Sequence, residues 1–243
     1  MTDTSLSSVW VVIPAAGVGS RMEAETPKQY LKIEGKTVLE HTLSCFINHP
    51  HVAGIIVALS SDDPYWNQLN IKSTTTPIYT VEGGAERSDS VEQALEYLRV
   101  LEKLDDDNWV MVHDAARPCV SQLDIDALLE IRSGESVGGI LATPVRDTMK
   151  RSFSDQAKIS HTESRENLWH ALTPQLFKLG PLMRALEFCK NKSIAVSDEA
   201  SAFEALGEHP QLVNGGHENI KVTYPSDMQY AAFILRDRCA DDE

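Results

Sequence analysis

The segment PAAGVGSRMEAETPK, residues 14–28, decides the fold class of this chain. It follows a short apolar run, Val9 to Ile13, that is typical of a buried strand. Gly17 and Gly19 then allow the backbone to turn freely and to approach a ligand closely. A strand that runs straight into a glycine-containing loop is typical of the ligand-binding edge of an α/β sheet.

Two cations accompany this loop, Arg21 and Lys28. A nucleoside triphosphate needs backbone N–H donors and cations together, so the segment indicates a phosphate site. The alternative is an ordinary turn with exposed basic residues. Neither of two common phosphate loops fits, because no Gly-Lys-Ser/Thr is present and Met22 stands where a dinucleotide fingerprint has its third glycine.

Apolar runs that are typical of strands recur along the chain and alternate with helical segments. They cover residues 54–59, 78–81, 109–112 and 138–142. This order predicts an α/β fold with a Rossmann-like, mostly parallel sheet and helices on both faces, built as a single domain over residues 1–243. Ligands of such sheets lie at the carboxyl ends of the strands, so we expect Gly17, Gly84, Asp114 and Arg117 to meet at one edge.

Capping boxes indicate where three of the helices begin. They start at Thr37, Ser90 and Ser226, and predict helices to about Ile47, to Leu101 and near the C-terminus. Other expected elements are a short helix from Asp62, helices over about 124–132, 180–190 and 198–206, and strands over 211–213 and 220–222.

The alternation of strands and helices is interrupted over residues 144–168. This segment is polar, its apolar and polar residues alternate weakly, and Ser154-Asp155 is typical of a turn. A protruding β-hairpin is predicted, each limb reaching roughly 25 Å. A lone two-stranded arm is marginal in water, which favours packing on a second subunit. The alternative is a mobile surface loop.

Composition narrows the class of protein further. A formal net charge of −14 disfavours binding to nucleic acid or to an anionic membrane. No run approaches the ~18 apolar residues of a membrane helix. The four separated cysteines indicate reduced thiols, and the polar first eight residues lack a signal-peptide core, so we expect a cytoplasmic protein.

Seven motifs carry a resemblance to a known family: PAAGVGSRM, PKQYL, HDAARPC, PVRDTMKR, WHALTPQ, SDEASA and NIKVT, in this order. Over about residues 10–233 the chain resembles the 2-C-methyl-D-erythritol 4-phosphate cytidylyltransferases. The resemblance implies a Rossmann-like domain with a protruding arm and a homodimer formed through the arms. It also implies transfer of CMP from CTP to methylerythritol phosphate, with Mg²⁺ and release of pyrophosphate.

The resemblance also assigns roles to individual residues. Arg21 and Lys28 would be catalytic and would stabilise charge around the α-phosphorus. The nucleotide would be bound by Ala15, Ala16, Gly17, Gly19, Gly84 and Ser90, and Mg²⁺ by Asp114. The substrate phosphate would be bound by Arg117, Lys221 and Thr173. Thr148 and Arg165, which lie on the arm, would reach across the dimer and bind the same phosphate.

Several of these assignments have structural alternatives. Ser90 could serve as a helix N-cap, Asp114 as a loop cap and Lys221 as an exposed lysine. Ala85 stands where many relatives have an acidic residue, and Glu218 where aspartate is expected. The histidines lack metal-ligand spacing and are interpreted as structural.

Two other functions remain open at this stage. One is a sibling enzyme that uses another small alcohol phosphate, such as ribitol 5-phosphate. The other is a nucleotide-binding protein without catalytic activity. The motifs beyond the first loop favour the methylerythritol phosphate enzyme over both.

Overall fold

The computed structural model describes residues 8–17, 26–100, 102–134 and 136–241. A seven-stranded sheet runs through its centre. The strands are β1 (Val9–Pro14), β4 (Val52–Leu59), β5 (Ile78–Glu82), β6 (Trp109–Val112), β7 (Gly138–Pro144), β10 (Trp169–Lys178) and β11 (Gln211–Asn214), in the order β11-β7-β10-β6-β1-β4-β5. Only β10 pairs antiparallel with its neighbours, so the prediction of a mostly parallel sheet is confirmed.

The central strand β1 shows why its sequence is continuously apolar. Val9, Val11 and Ile13 pack into the core on one face of the sheet, while Trp10 and Val12 pack into the core on the other. Because both faces are covered by helices, neither set of alternating side chains meets water. The predicted strands at β4, β5, β6 and β7 are also confirmed, although the edge strand β5 is only partly buried.

The described part of the chain contains six α-helices: α1 (Val38–Ser44), α2 (Arg87–Val100), α3 (Gln122–Leu129), α4 (Leu179–Asn191), α5 (Glu199–Glu204) and α6 (Pro225–Asp241). The capping box at Thr37 is confirmed, since Thr37 Oγ1 accepts from the Glu40 amide at 3.1 Å and Glu40 Oε2 accepts from the Thr37 amide at 2.7 Å. The boxes at Ser90 and Ser226 are wrong, because α2 begins at Arg87 and α6 at Pro225.

The sequence interpretation missed strand β10, and two smaller predictions were wrong. The first half of β10 is exposed, so it lacks the apolar run that identified the other strands. Residues 220–222 form no strand, since the Val222 amide donates to the Ala116 carbonyl and not to the sheet. Asp62 starts no helix. Asp63 Oδ1 instead accepts hydrogen bonds from the Tyr65 and Trp66 amides, next to a short 3₁₀ turn, Trp66–Gln68. A further small hairpin joins β2 (Lys32–Ile33) and β3 (Lys36–Thr37).

The predicted arm is a β-hairpin. Strands β8 (Lys150–Phe153) and β9 (Gln156–Thr162) pair antiparallel around the turn at Ser154-Asp155, and every residue of both strands is exposed. The arm forms its own two-stranded sheet, separate from the central one.

Among the described residues, no helix combines the length and apolar character that crossing a membrane requires.

Candidate active site

A cavity of about 280 Å³ opens at the carboxyl ends of β1, β5 and β6. Three loops surround it: the one after β1, the one between β5 and α2, and the one after β6. Gly17, Gly84 and Asp114 line the cavity, as the topological argument predicts, while Arg117 lies behind it. Three cations, Lys28, Arg87 and Lys221, also line the cavity.

The loop after β1 is held by a buried side chain that the sequence interpretation missed. Gln29 Nε2 donates to the Ala15 carbonyl at 2.8 Å and to the Gly17 carbonyl at 3.0 Å. A Cβ on Gly17 would meet no described residue within 4 Å, and Gly17 lines the cavity. Gly19 and Arg21 lie outside the described residues.

The loop after β5 is packed closely against the first loop. A Cβ on Gly83 would lie 2.7 Å from Ala16 Cβ and 2.7 Å from Ser90 Oγ, so glycine is required there. Ser90 is not an N-cap. It lies inside the first turn of α2, and its Oγ accepts from the Gly84 amide at 3.1 Å.

Asp114 is the centre of the charged part of the site. Its Oδ1 lies 3.0 Å from Arg87 Nε, and its Oδ2 lies 2.8 Å from Lys221 Nζ and 3.4 Å from Arg117 Nε. Burial alone would raise the pKa of Asp114, but these three cations outweigh burial and hold the pKa far below its usual range. Asp114 is therefore an anion at any physiological pH.

Arg117 is buried and has partners within the protein. Its Nη1 donates to the Asn219 carbonyl at 2.7 Å, and Asn219 Nδ2 donates in turn to the Thr173 carbonyl at 2.7 Å. These bonds tie the segment after β11 to β10 and to the loop after β6. The role of Arg117 in binding a substrate phosphate stays a prediction.

His113 and Thr173 fix the loop that carries Asp114. His113 Nε2 lies 3.0 Å from the Arg117 carbonyl, which can only accept, so Nε2 carries the proton and Nδ1 accepts. Thr173 Oγ1 lies 3.1 Å from Nδ1 and accepts from the Asp114 amide at 3.0 Å. The Thr173 hydroxyl thus donates to His113 and accepts from the Asp114 amide, and its role in binding substrate stays a prediction.

The buried histidine makes stability depend on pH. Burial lowers the pKa of His113 to about 4, whereas an unfolded histidine titrates near 6.5. Between these values the unfolded state binds more protons, so the His113 contribution is complete above about pH 6.5 and is lost as the pH falls towards 4. Because of His113, we expect the free energy of unfolding to fall by about 2 kcal/mol when the pH is lowered from 7.5 to 5.

Urea unfolding of the wild type and of His113→Asn at both pH values measures this effect. Asparagine offers an N–H donor and an acceptor but does not titrate. The stability of His113→Asn should therefore fall by about 2 kcal/mol less than that of the wild type between the two pH values. An equal pH dependence in both proteins would contradict a buried, neutral His113.

The two remaining predicted residues lie on the arm. Thr148 and Arg165 are exposed, and neither lines the cavity of its own chain among the described residues. Arg165 Nη1 donates to the Arg146 carbonyl at the base of the arm.

The residues present fit a magnesium ion that is held mostly by phosphates and water. Within the described ranges, no group of three or more His, Cys, Asp or Glu side chains could hold a metal by itself. Asp114 offers one ionised carboxylate at the cavity, and Mg²⁺ in phosphate-handling sites commonly takes only one or two carboxylates from the protein.

Comparison with known proteins decides the family. Residues 9–237 match the family model described as 2-C-methyl-D-erythritol 4-phosphate cytidylyltransferase. The chain belongs to this family.

Curated members of this family are similar over almost their full length. The chain is 53% identical to a 2-C-methyl-D-erythritol 4-phosphate cytidylyltransferase of Vibrio vulnificus over 95% of its own residues and 96% of the relative's. It is 48% identical to one of Pseudomonas putida, with 97% of each chain covered. The crystal structure of the Francisella tularensis enzyme superposes with a TM-score of 0.80 at 39% identity, covering 94% of this chain and 100% of that one.

Membership of the cytidylyltransferase family makes the protein a nucleotidyltransferase. The sibling enzyme for ribitol 5-phosphate is not favoured, since the family model and the similar curated proteins share the methylerythritol phosphate description.

The sequence interpretation missed Arg87, Glu199 and Asn219 as site residues. Each had a weak signal: Arg87 follows the Gly83-Gly84 pair, and the other two lie inside the SDEASA and NIKVT motifs. What the sequence did not show is that the side chains of Arg87 and Glu199 meet, and that Asn219 bonds to Arg117 and Thr173.

Proposed function

We propose that the protein transfers CMP from CTP to the phosphate of 2-C-methyl-D-erythritol 4-phosphate and releases pyrophosphate. The observation that carries this proposal is the cavity at the strand ends, where a glycine-containing loop and two lysines surround an ionised aspartate. The same edge of the sheet binds phosphorylated ligands in other α/β proteins.

The reaction needs no general base. The attacking phosphate monoester has a second pKa near 6 and is already mostly ionised at neutral pH. His113, the histidine bonded to the Asp114 loop, has both ring nitrogens engaged inside the protein. The work of the enzyme is to position two anions and to stabilise the charge that develops around the α-phosphorus.

Different residues of the site would bind different parts of the nucleotide. Ala15, Ala16 and Gly17 line one part of the cavity and Gly84 with Ser90 lines another, and together they would hold the cytidine. Arg21 and Lys28 follow the first loop and would hold the triphosphate. Lys221 also lines the cavity, where it would meet the incoming substrate phosphate.

Magnesium would be held by Asp114 together with the phosphates. When bound, the metal would neutralise phosphate charge and favour departure of pyrophosphate. The Lys221 ammonium lies 2.8 Å from Asp114 Oδ2 in this structure, and it would exchange this partner for the substrate phosphate when Mg²⁺ binds the carboxylate.

A homodimer through the arm completes the proposal. Apolar side chains on the arm and at its base are at least one-third exposed: Met149, Phe153, Ile159, Leu168 and Trp169. A two-stranded hairpin that exposes such residues gains stability by packing on a second copy. Thr148 and Arg165 on the arm would then reach the partner's cavity and bind the substrate phosphate there.

Charges on the arm should therefore separate the subunits. We expect the double variant Phe153→Asp/Ile159→Asp to elute as a monomer in size-exclusion chromatography with light scattering, because carboxylates would be buried in the interface. Leu123→Asp, at an 81% exposed position on α3, is the matched control and should stay dimeric. A double variant that remains dimeric would exclude the arm as the interface.

The acceptor is tested by pyrophosphate release from CTP and Mg²⁺. Reactions with methylerythritol 4-phosphate, with ribitol 5-phosphate and without acceptor run in parallel. Rapid release with methylerythritol phosphate alone is expected. Release with ribitol phosphate alone would keep the reaction type and reject the acceptor, and no release with either would reject the proposed activity.

A further inference from the structure

An ion pair between Arg87, which lines the cavity, and the buried Glu199 has no part in the reaction as proposed above. Glu199, the first residue of α5, is fully buried, and Arg87, the first residue of α2, faces it. The two side chains meet in a bidentate pair, with Nη1–Oε1 at 2.7 Å and Nη2–Oε2 at 3.1 Å. This geometry fixes the plane of the guanidinium group.

The third nitrogen of the same guanidinium group contacts the active site. Arg87 Nε donates to Asp114 Oδ1 at 3.0 Å. One planar cation therefore bridges two carboxylates that come from different elements. Asp114 Oδ1 is occupied by this bond, and Oδ2 is the oxygen that Lys221 and Arg117 approach.

The position of Glu199 is itself set by the central sheet. Gln175 lies on β10. Its Oε1 accepts a hydrogen bond from the Ala200 amide at 2.9 Å, and its Nε2 donates to the Asp198 carboxylate at 2.9 Å. Gln175 pairs with Val112 of β6, two residues before Asp114. The sheet thus holds both Asp114 and the group that orients it.

We propose that Glu199 and Arg87 are positioning residues that hold the Asp114 carboxylate in one orientation at the cavity. The inference rests on the proposed function of this site. A buried ion pair contributes little to stability compared with apolar residues of the same size, so stability alone does not account for it. A guanidinium group without Glu199 would also be able to turn towards the triphosphate, because Arg87 lines the cavity.

Hydrogen exchange at the Arg87 side chain tests the orientation without any turnover. The Nε–H signal in a ¹⁵N spectrum, assigned by its loss in Arg87→Lys, reports the bond to Asp114. In Glu199→Gln, which keeps shape but removes charge, we expect this proton to exchange at least about tenfold faster. Unchanged exchange would overturn the proposal.

Steady-state kinetics test the consequence for the reaction. Glu199→Gln should lower kcat about 10- to 100-fold and change KM for CTP much less, because a misplaced group weakens the transition state more than the ground state. Arg87→Lys should behave alike, since lysine keeps the charge and lacks the planar fork. The double variant should lose no more than either single variant, as Glu199 acts through Arg87.

Phe203→Leu is the matched control for simple destabilisation. Phe203 lies on the same helix with its ring centroid 4.4 Å from that of Phe177, and its side chain has no polar atom that could bond to either carboxylate. It should lower the melting temperature while leaving kcat unchanged. A kcat loss in Phe203→Leu equal to that in Glu199→Gln would overturn the positioning role, as would normal kcat in Glu199→Gln. If the wild type does not turn over, the proposed function fails, and hydrogen exchange still decides the orientation of Arg87.

Discussion

Lys28→Ala should lower kcat by about 100- to 1,000-fold, the loss typical of removing one group that stabilises transition-state charge. Lys28 lines the cavity directly after the first loop, and its Nζ donates to the Val222 carbonyl at 3.1 Å. Charge accumulates on the α-phosphate and on pyrophosphate during the reaction, so a cation held at this place acts mainly on the transition state. Arg21→Ala should have a similar effect, by the same reasoning from the sequence.

Lys32→Ala is the matched control for Lys28→Ala. Lys32 is an exposed lysine four residues further on, outside the cavity, so its removal changes the net charge equally and should leave kcat unchanged. Unchanged kcat in Lys28→Ala would remove Lys28 from the catalytic group.

Arg165→Ala should also reduce activity strongly, and mixing it with Lys28→Ala should restore part of the loss. In a heterodimer of the two variants, one site combines an intact Lys28 with an intact Arg165 from the other subunit. With random exchange of subunits we expect about a quarter of wild-type activity, whereas each homodimer is nearly inactive. The measurement is turnover after the two proteins are unfolded and refolded together.

Subunit exchange must be shown in the same sample. Different affinity tags on the two variants allow the heterodimer to be isolated and counted. A confirmed heterodimer without restored activity would contradict a site shared between subunits.

Much of the fold could be predicted because its strands are buried on both faces. Residues 9–13, 54–59 and 109–112 are continuously apolar, and that pattern comes directly from helices packing on both sides. The position of the cavity followed from topology, since the carboxyl ends of parallel strands meet at one edge. Strand β10 lacked such a pattern because its first half is exposed next to the arm.

The contacts within the site were harder to predict. Ser90 has the sequence of a helix cap, yet the chain enters α2 three residues earlier and uses the hydroxyl to hold Gly84. Thr173 was expected to bind substrate, and in the structure its hydroxyl is bonded to His113 and to the Asp114 amide. These bonds join residues about 60 positions apart, and local sequence patterns carry no information on such pairs.

The fate of a radioactive label tests the central claim most directly. CTP labelled at the α-phosphorus, or separately at the γ-phosphorus, is incubated with Mg²⁺, methylerythritol 4-phosphate and the protein, and the products are separated. If the acceptor phosphate attacks the α-phosphorus, the α label appears in the diphosphocytidyl product and the γ label in pyrophosphate. A γ label on the acceptor, or an α label bound to the protein, would contradict direct transfer of CMP.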